Sequence, residues 1–330
     1  MGIRIIGTGR HLPKLLVTNK DLTKMVDTTE EWITERTGIL TRNIAIDETT
    51  VDMAASAAKM ALKNANLTLA DVDVIIATTV TSDYFTPSLA CLTSHKIGGS
   101  TNAICMDINC ACAGFVYALD MANRYLMDDD RKRALIISSE MLSKMTDFND
   151  RSTCILFGDG AGAVIVEKTD GKFVSFLGAD PSGADKLFAR GMPPENPFME
   201  RPYDWKWDNL PETIGHALHQ DGRAVYSFAT KTMPMAVREV CKKANISPEE
   251  LDIIFPHQAN IRIIETAAKN LKLPLDKFFI NIQKHGNSSS ACIPICLSEA
   301  MEEGLIKTGQ KVCLVGFGAG LTYGAIVLEW

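Results

Sequence analysis

The sequence predicts an α/β protein built from two similar halves, and two observations carry that prediction. The first is an internal repeat. Ala65-Asn66-Leu67-Thr68-Leu69-Ala70-Asp71-Val72-Asp73-Val74-Ile75-Ile76 lines up with Ala244-Asn245-Ile246-Ser247-Pro248-Glu249-Glu250-Leu251-Asp252-Ile253-Ile254-Phe255, 179 residues later (Asp73 to Asp252). Arg133-Ala134-Leu135-Ile136-Ile137 likewise resembles Lys311-Val312-Cys313-Leu314-Val315. The second is that continuous Val/Ile/Leu strands alternate with helical stretches, which requires sheets covered on both faces. The halves are expected at 1–170 and 171–330. A fold of two such halves tends to hold its site at their junction, outside strand ends.

In chain order, Ile3 to Ile6 reads as a short strand, followed by Gly7-Thr8-Gly9 and the breaker Pro13. Thr18-Asn19-Lys20-Asp21 and Asp27-Thr28-Thr29-Glu30 are helix starts, each with a side-chain acceptor at the cap and acids in the first turn. A helix spans about Val51 to Ala65, and a buried strand runs from Val72 to Val80. Ala103-Ile104-Cys105-Met106 is a strand leading into Asp107-Ile108-Asn109-Cys110-Ala111-Cys112-Ala113-Gly114-Phe115. An amphipathic helix leads out, through Leu126. Small residues at that junction let the backbone turn sharply. From Gly183 to Arg223 the periodicity stops, and Met192-Pro193-Pro194, Tyr203, Trp205 and Trp207 mark an excursion over a pocket mouth. Asp252-Ile253-Ile254 is a strand that runs into Phe255-Pro256-His257-Gln258-Ala259-Asn260. Phe278-Phe279-Ile280 is another, followed by the turn His285-Gly286-Asn287-Ser288-Ser289-Ser290 and a helix from about Ala291. A Gly-rich end, Gly316 to Ala325, closes the chain.

Composition narrows the function. With 34 basic against 40 acidic residues, a net charge of −6 and no basic run longer than Arg131-Lys132-Arg133, a nucleic-acid role is not expected. No apolar run approaches a membrane span and Met1-Gly2-Ile3-Arg4 lacks a signal-type apolar region, so no membrane partner and a cytoplasmic location are expected. The nine cysteines show neither disulfide nor zinc spacing, so no metal site is expected.

Three strand–loop junctions carry the chemistry. Cys112 faces the start of a helix, where dipole and unpaired N–H groups favour an anion, and the thiolate is the nucleophilic form of cysteine. His257 follows a strand and a helix-blocking proline, where a rigid sheet aims it into a cleft. Asn287 sits in a polar turn that the repeat sets equivalent to that of Cys112. Together they form an acylatable thiol facing two neutral hydrogen-bond donors for an oxyanion. Gly7-Thr8-Gly9 and the Gly-rich end lack the helix and downstream acid of a dinucleotide fingerprint. The latter fits a turn that supplies an oxyanion donor.

Asn109-Cys110-Ala111-Cys112-Ala113-Gly114-Phe115, Pro256-His257-Gln258-Ala259-Asn260-Ile261-Arg262 and His285-Gly286-Asn287-Ser288-Ser289 resemble the three active-site motifs of the β-ketoacyl-acyl carrier protein synthase III family, in the thiolase superfamily. The similarity runs from Ile6 to the Gly-rich end. It implies a five-layered α/β/α/β/α homodimer with duplicated halves, and no cofactor beyond the CoA thioester that serves as substrate. It implies that Cys112 takes an acyl group from acyl-CoA, and that His257 and Asn287 hold the thioester oxygen of malonyl-acyl carrier protein while CO₂ leaves. By the same resemblance, the N–H groups of Cys112 and Ala319 form the oxyanion hole and Phe317 lies beside the malonyl carboxylate. Trp32 and Arg36 sandwich and anchor the CoA adenine, with Arg151 a further CoA contact. Gln258, Ala259, Asn260, Ile261 and Arg262 form the docking stretch for the acidic carrier protein.

Departures from the family pattern bear on substrate choice. Cys110 and Ala319 stand where alanine and glycine are frequent. Thr86, in Phe85-Thr86-Pro87-Ser88, stands where a bulkier residue closes the partner subunit's acyl pocket, which leaves room for longer or branched primers. The alternative reading is a related acyltransferase or condensing enzyme of secondary metabolism, with a non-acetyl primer or a non-malonyl partner. A thiolase would want a second catalytic cysteine near the C-terminus. Cys313 lies within a strand, and the loop after it has none.

Overall fold

The computed structural model describes residues 2–99, 102–128, 130–191, 197–198 and 217–330. Two sheets dominate. In the first, strands lie in the order Gly2–His11, Gly160–Thr169, Arg133–Glu140, Val74–Thr78 and Ile104–Ile108. The last three run parallel to one another, and the first two are antiparallel to their neighbours. The second sheet repeats the pattern with Phe173–Ala179, Thr322–Glu329, Lys311–Gly318 and Ile253–Pro256. Phe278 adds a single parallel bridge to Ile254 at the place where Ile104–Ile108 pairs in the first sheet. The strand expected over Phe278–Ile280 is reduced to that bridge. Phe279 N–H donates to Ile254 C=O at 2.9 Å, and the chain then turns into the short helix Ile282–His285.

Side-chain alternation along each strand builds the layers. Val74 and Ile76 point inward, onto the helices Gly114–Tyr125 and Cys292–Glu302, which lie between the sheets. Phe255, Val312 and Leu314 meet the same helices from the second sheet. Ile75 and Ala77 point the other way, onto Thr50–Asn64 and Leu89–Lys96. Cys313 and Val315 do the same onto Gly222–Lys243 and Ile261–Leu271. The result is helix, sheet, helix, sheet, helix, as the five-layered expectation required. A side chain at Gly114 would collide with that of Thr78, so only glycine lets the middle helix start hard against its strand.

The duplication extends to backbone detail. Asn66 and Asn245 both have φ +55°, while Ala111 and Ser289 have φ +45° and +51°. Helix starts follow the capping signals: Thr18 and Asp21 form a capping box, and Thr29 Oγ1 accepts from Trp32 N–H. The chain passes from one sheet to the other between Thr169 and Phe173. Among the described residues no helix is long and apolar enough to cross a membrane.

Candidate active site

The two sheets present strand ends to a shared cavity of about 530 Å³. Cys112, His257 and Asn287 all line it. Cys112 sits in the 3-10 turn Ala111–Ala113, just before the middle helix of the first half. The end of the strand Lys311–Gly318 comes so close that a Cβ on Gly318 would stand 2.5 Å from Cys112 N. Phe317 and Ala319 line the cavity on either side of that glycine.

His257 follows the strand Ile253–Pro256, and its N–H donates to Val315 C=O at 2.8 Å. Its ring stands edge-on to Phe317, with centroids 5.1 Å apart. Burial pulls its pKa down from 6.5 to about 3, and Nδ1 is buried with no hydrogen-bond partner. The imidazole is therefore neutral at any working pH, suited to donate a hydrogen bond to a developing oxyanion and unsuited to act as a base.

Asn287 reaches across the junction: its N–H donates to Leu156 C=O at 2.9 Å, and its C=O accepts from Gly158 N–H at 3.0 Å. Its Oδ1 accepts from Ser289 N–H at 2.8 Å and from the Cys292 thiol at 3.8 Å, which leaves the NH₂ for the cavity. Two residues before it, His285 is held by Asn43 at 3.0 Å and Glu299 at 2.7 Å. In the first half Asn109 makes the same turn, with Oδ1 3.3 Å from Ala111 N. Asn287 is thus the counterpart of Asn109, and the counterpart of Cys112 is Ser290, 178 residues on. The equivalence expected from the repeat is corrected by three positions.

The surroundings of the Cys112 thiol pull its titration in two directions. Cys112 is half-buried on the cavity wall, and desolvation there pushes its thiol up to about 12, with the hydroxyl of Ser289 acting against it. Desolvation thus works against the thiolate that the start of the helix favours. Behind it lies Glu140, fully buried, which accepts from Thr79 Oγ1, Val80 N–H, Thr81 Oγ1 and Ser290 Oγ at 3.1, 3.0, 2.9 and 2.7 Å. Burial raises its pKa, partly offset by those donors. Glu140, Ser289 and Cys292 were not singled out from sequence; only Ser289, inside a quoted motif, carried any signal.

The remaining expected residues fall into three groups. Trp32, Arg36 and Arg151 come together: the guanidinium carbons of Arg36 and Arg151 lie 5.9 and 5.0 Å from the Trp32 ring centroid. Asn260, on the cavity wall, ties this cluster to it by donating to Arg36 C=O at 2.9 Å. Within the docking stretch, Arg262 is exposed and Ala259, Asn260 and Ile261 are half-buried. Gln258 does not fit a docking role. It is 1% exposed, donates to Pro256 and Phe279 carbonyls, and accepts from Asn281 and Ile282 N–H groups, so it braces the histidine loop from inside. Thr86 is exposed beside Tyr84 and Phe85 and does not line this chain's cavity. Cys110 does line it.

The ends of the excursion form a small ribbon, Leu187–Phe188 with His219–Gln220, and Leu187, Phe188 and Leu218 line the cavity. Met192, Pro193, Pro194, Tyr203, Trp205 and Trp207 lie outside the described residues. Among the described residues no cluster of His, Cys, Asp and Glu has a metal-binding arrangement.

The family model for 3-oxoacyl-[acyl-carrier-protein] synthase III matches residues 106–181, and the model for the C-terminal part of that enzyme matches 241–330. The chain is 44% identical to a β-ketoacyl-[acyl-carrier-protein] synthase III of Clostridium acetobutylicum, over 99% of this chain and 98% of that one. The crystal structure of 3-oxoacyl-[acyl-carrier-protein] synthase III from Aquifex aeolicus superposes with a TM-score of 0.89 at 42% identity, covering all of both chains. The priming β-ketosynthase of the R1128 polyketide pathway superposes with a TM-score of 0.88 at 32% identity, over 99% and 96% of the two chains.

Proposed function

The chain belongs to the 3-oxoacyl-[acyl-carrier-protein] synthase III family, and we propose that its reaction, the decarboxylative condensation of an acyl-CoA with malonyl-acyl carrier protein, runs through Cys112, His257 and Asn287. The observation that carries this reading is that a thiol, a neutral imidazole and a carboxamide, from three loops of two sheets, line one cavity.

In the first half-reaction the Cys112 sulfur attacks the thioester carbonyl of the acyl-CoA. The carbonyl oxygen becomes an oxyanion, received by the N–H groups of Cys112 and Ala319. The tetrahedral intermediate collapses with loss of the CoA sulfur, and the thiol proton ends on that sulfur. The products are acyl-Cys112 and CoA-SH. In the second half-reaction malonyl-carrier protein occupies the same cavity, with Phe317 beside its carboxylate. The bond to CO₂ breaks, and its electron pair forms an enolate whose oxygen is held by His257 and Asn287. The α-carbon then attacks the acyl-Cys112 carbonyl, the carbon–sulfur bond breaks, and the sulfur takes up a proton from water, the one proton this half-reaction consumes. A neutral His257 suits this step, because it donates without first having to lose charge. The carbon and sulfur bonds made and broken are those of Cys112 and the two thioesters, with one proton drawn from water.

The Trp32, Arg36 and Arg151 cluster is the proposed seat of the CoA adenine, which would part the Arg151–Trp32 stack and replace it. Arg262 is the proposed contact for the acidic carrier protein. A homodimer is proposed through Ile104–Ile108, an edge strand whose five residues are all half-exposed, with Tyr84 and Phe85 exposed nearby. Nine free cysteines suit a cytoplasmic location. The mainly apolar cavity wall and the likeness to a priming polyketide β-ketosynthase favour a second reading, the same chemistry on a non-acetyl primer.

Incubation with a panel of acyl-CoAs, followed by peptide mass spectrometry, tests the proposal. The expected adduct is on the Cys112 peptide, and the best primer separates the two readings. No adduct on Cys112 with any primer would overturn both.

A further inference from the structure

We propose that Ser289 is a further catalytic residue, whose hydroxyl donates a hydrogen bond to the Cys112 sulfur whenever that sulfur carries charge. The inference rests on Cys112 being the nucleophile and adds a donor for it that the reaction scheme above lacks.

Four observations converge on Ser289. It is 2% exposed, yet it belongs to the cavity wall. Its Oγ is buried and has no hydrogen-bond partner, whereas buried hydroxyls normally do. It sits at φ +51°, a backbone conformation in which non-glycine residues are uncommon and which gathers at functional sites. And the turn that carries it packs directly against the turn that carries Cys112.

The duplication shows what the hydroxyl is not for. In the first half the same turn is made by Ala111, at φ +45° and with no polar side chain. The turn therefore forms without a hydroxyl, and the one on Ser289 is surplus to folding.

Its surroundings say what it faces. The oxygen is close enough to act on both the Cys112 thiol and the Glu140 carboxyl, although it makes a formed hydrogen bond with neither. Glu140 is already served by Thr79, Val80, Thr81 and Ser290, so it does not need a fifth donor. The titratable groups around the sulfur are Glu140 from the strand Arg133–Glu140, Cys292 from the helix Cys292–Glu302, and Cys110 and His257 on the cavity wall. The negative charge of Glu140 opposes a thiolate, so a neutral donor beside the sulfur matters more. Ser289 turns its O–H toward the sulfur as the thiol proton departs during acylation. It does so again when the sulfur regains its electron pair in condensation. It transfers no proton of its own.

The test is the rate of alkylation of Cys112 by iodoacetamide, read by mass spectrometry of the Cys112 peptide from neutral to alkaline pH. In Ser289→Ala the thiolate loses one charge-assisted hydrogen bond, which shifts its titration up by about one pH unit and slows alkylation below the midpoint about tenfold. Acylation by acyl-CoA slows in parallel, with unchanged KM for acyl-CoA. Ser289→Gly, which suits the positive φ, gives the same result should the alanine variant not fold. An unchanged rate and pH profile in a folded variant would overturn the proposal. Acylation of Cys112 in the parent protein is measured alongside. If the parent acylates and the variants match it, only the role of Ser289 fails; if the parent does not acylate, the assignment of Cys112 fails first.

Discussion

The imidazole of His257 stands edge-on to the ring of Phe317, with centroids 5.1 Å apart, and its Nδ1 is buried against no acceptor. An imidazolium there would be a desolvated, unpaired charge, so the pKa falls to about 3.

This neutrality has a stability signature. The folded-state pKa of His257 lies below its ordinary 6.5, so the unfolded chain binds its proton first as pH drops. The contribution is fully present above pH 6.5 and is lost as pH falls from 6.5 towards 3. Urea unfolding of the parent and of His257→Gln should therefore differ by a constant amount above pH 6.5, with the parent losing ground to the variant below it. A difference independent of pH down to 3 would contradict a neutral His257.

Gly318 lies where a methyl group would stand 2.5 Å from the amide nitrogen of Cys112. Gly318→Ala must displace that backbone, and misplacing or losing one oxyanion donor costs about 10²–10³ in rate. Both half-reactions should fall together, because both pass through an oxyanion at the acyl-Cys112 carbonyl. Rapid-quench measurement of acylation and of condensation checks this; a loss confined to condensation would be inconsistent with it.

Trp32 carries the guanidinium groups of Arg36 and Arg151 on its ring, away from the reacting sulfur. Trp32→Ala should raise KM for acyl-CoA about fivefold to tenfold through lost stacking, leaving kcat unchanged. Steady-state kinetics with acyl-CoA varied at saturating malonyl-carrier protein would show the split. A fall in kcat with KM unchanged would move Trp32 out of the binding role.

The gathering of Cys112, His257 and Asn287 in one cavity was legible in the sequence because each sits beside a breaker that marks a strand–loop junction: Gly114, Pro256 and Gly286. The two-half architecture was legible in the matched stretches around Asp73 and Asp252. What the sequence left hidden depends on which way a side chain turns after its strand ends. Gln258 follows His257 directly, yet it turns inward to bind four backbone groups, where the family resemblance implied a docking surface. Glu140 ends an apolar strand in the way exposed acids often do, and only the loops from both halves folding over it make it a buried neighbour of Cys112. The desolvation around the Cys112 thiol is hidden for the same reason, since local helix geometry is visible in a sequence and enclosure by distant segments is not. Asn287 was paired with the wrong residue of the first half because the match followed chemical role; the shared side-chain turn pairs it with Asn109.

Asn287→Ala offers the most direct measurement. In the proposed reaction the carboxamide of Asn287 serves the enolate of malonyl-carrier protein, and acyl loading does not use it. With enzyme pre-acylated on Cys112 and malonyl-carrier protein labelled in its carboxyl group, a single turnover separates the two events. The account predicts acylation at the parental rate and release of labelled CO₂ slower by about 10²–10³. Release of CO₂ at the parental rate, or an equal loss in both half-reactions, would contradict it.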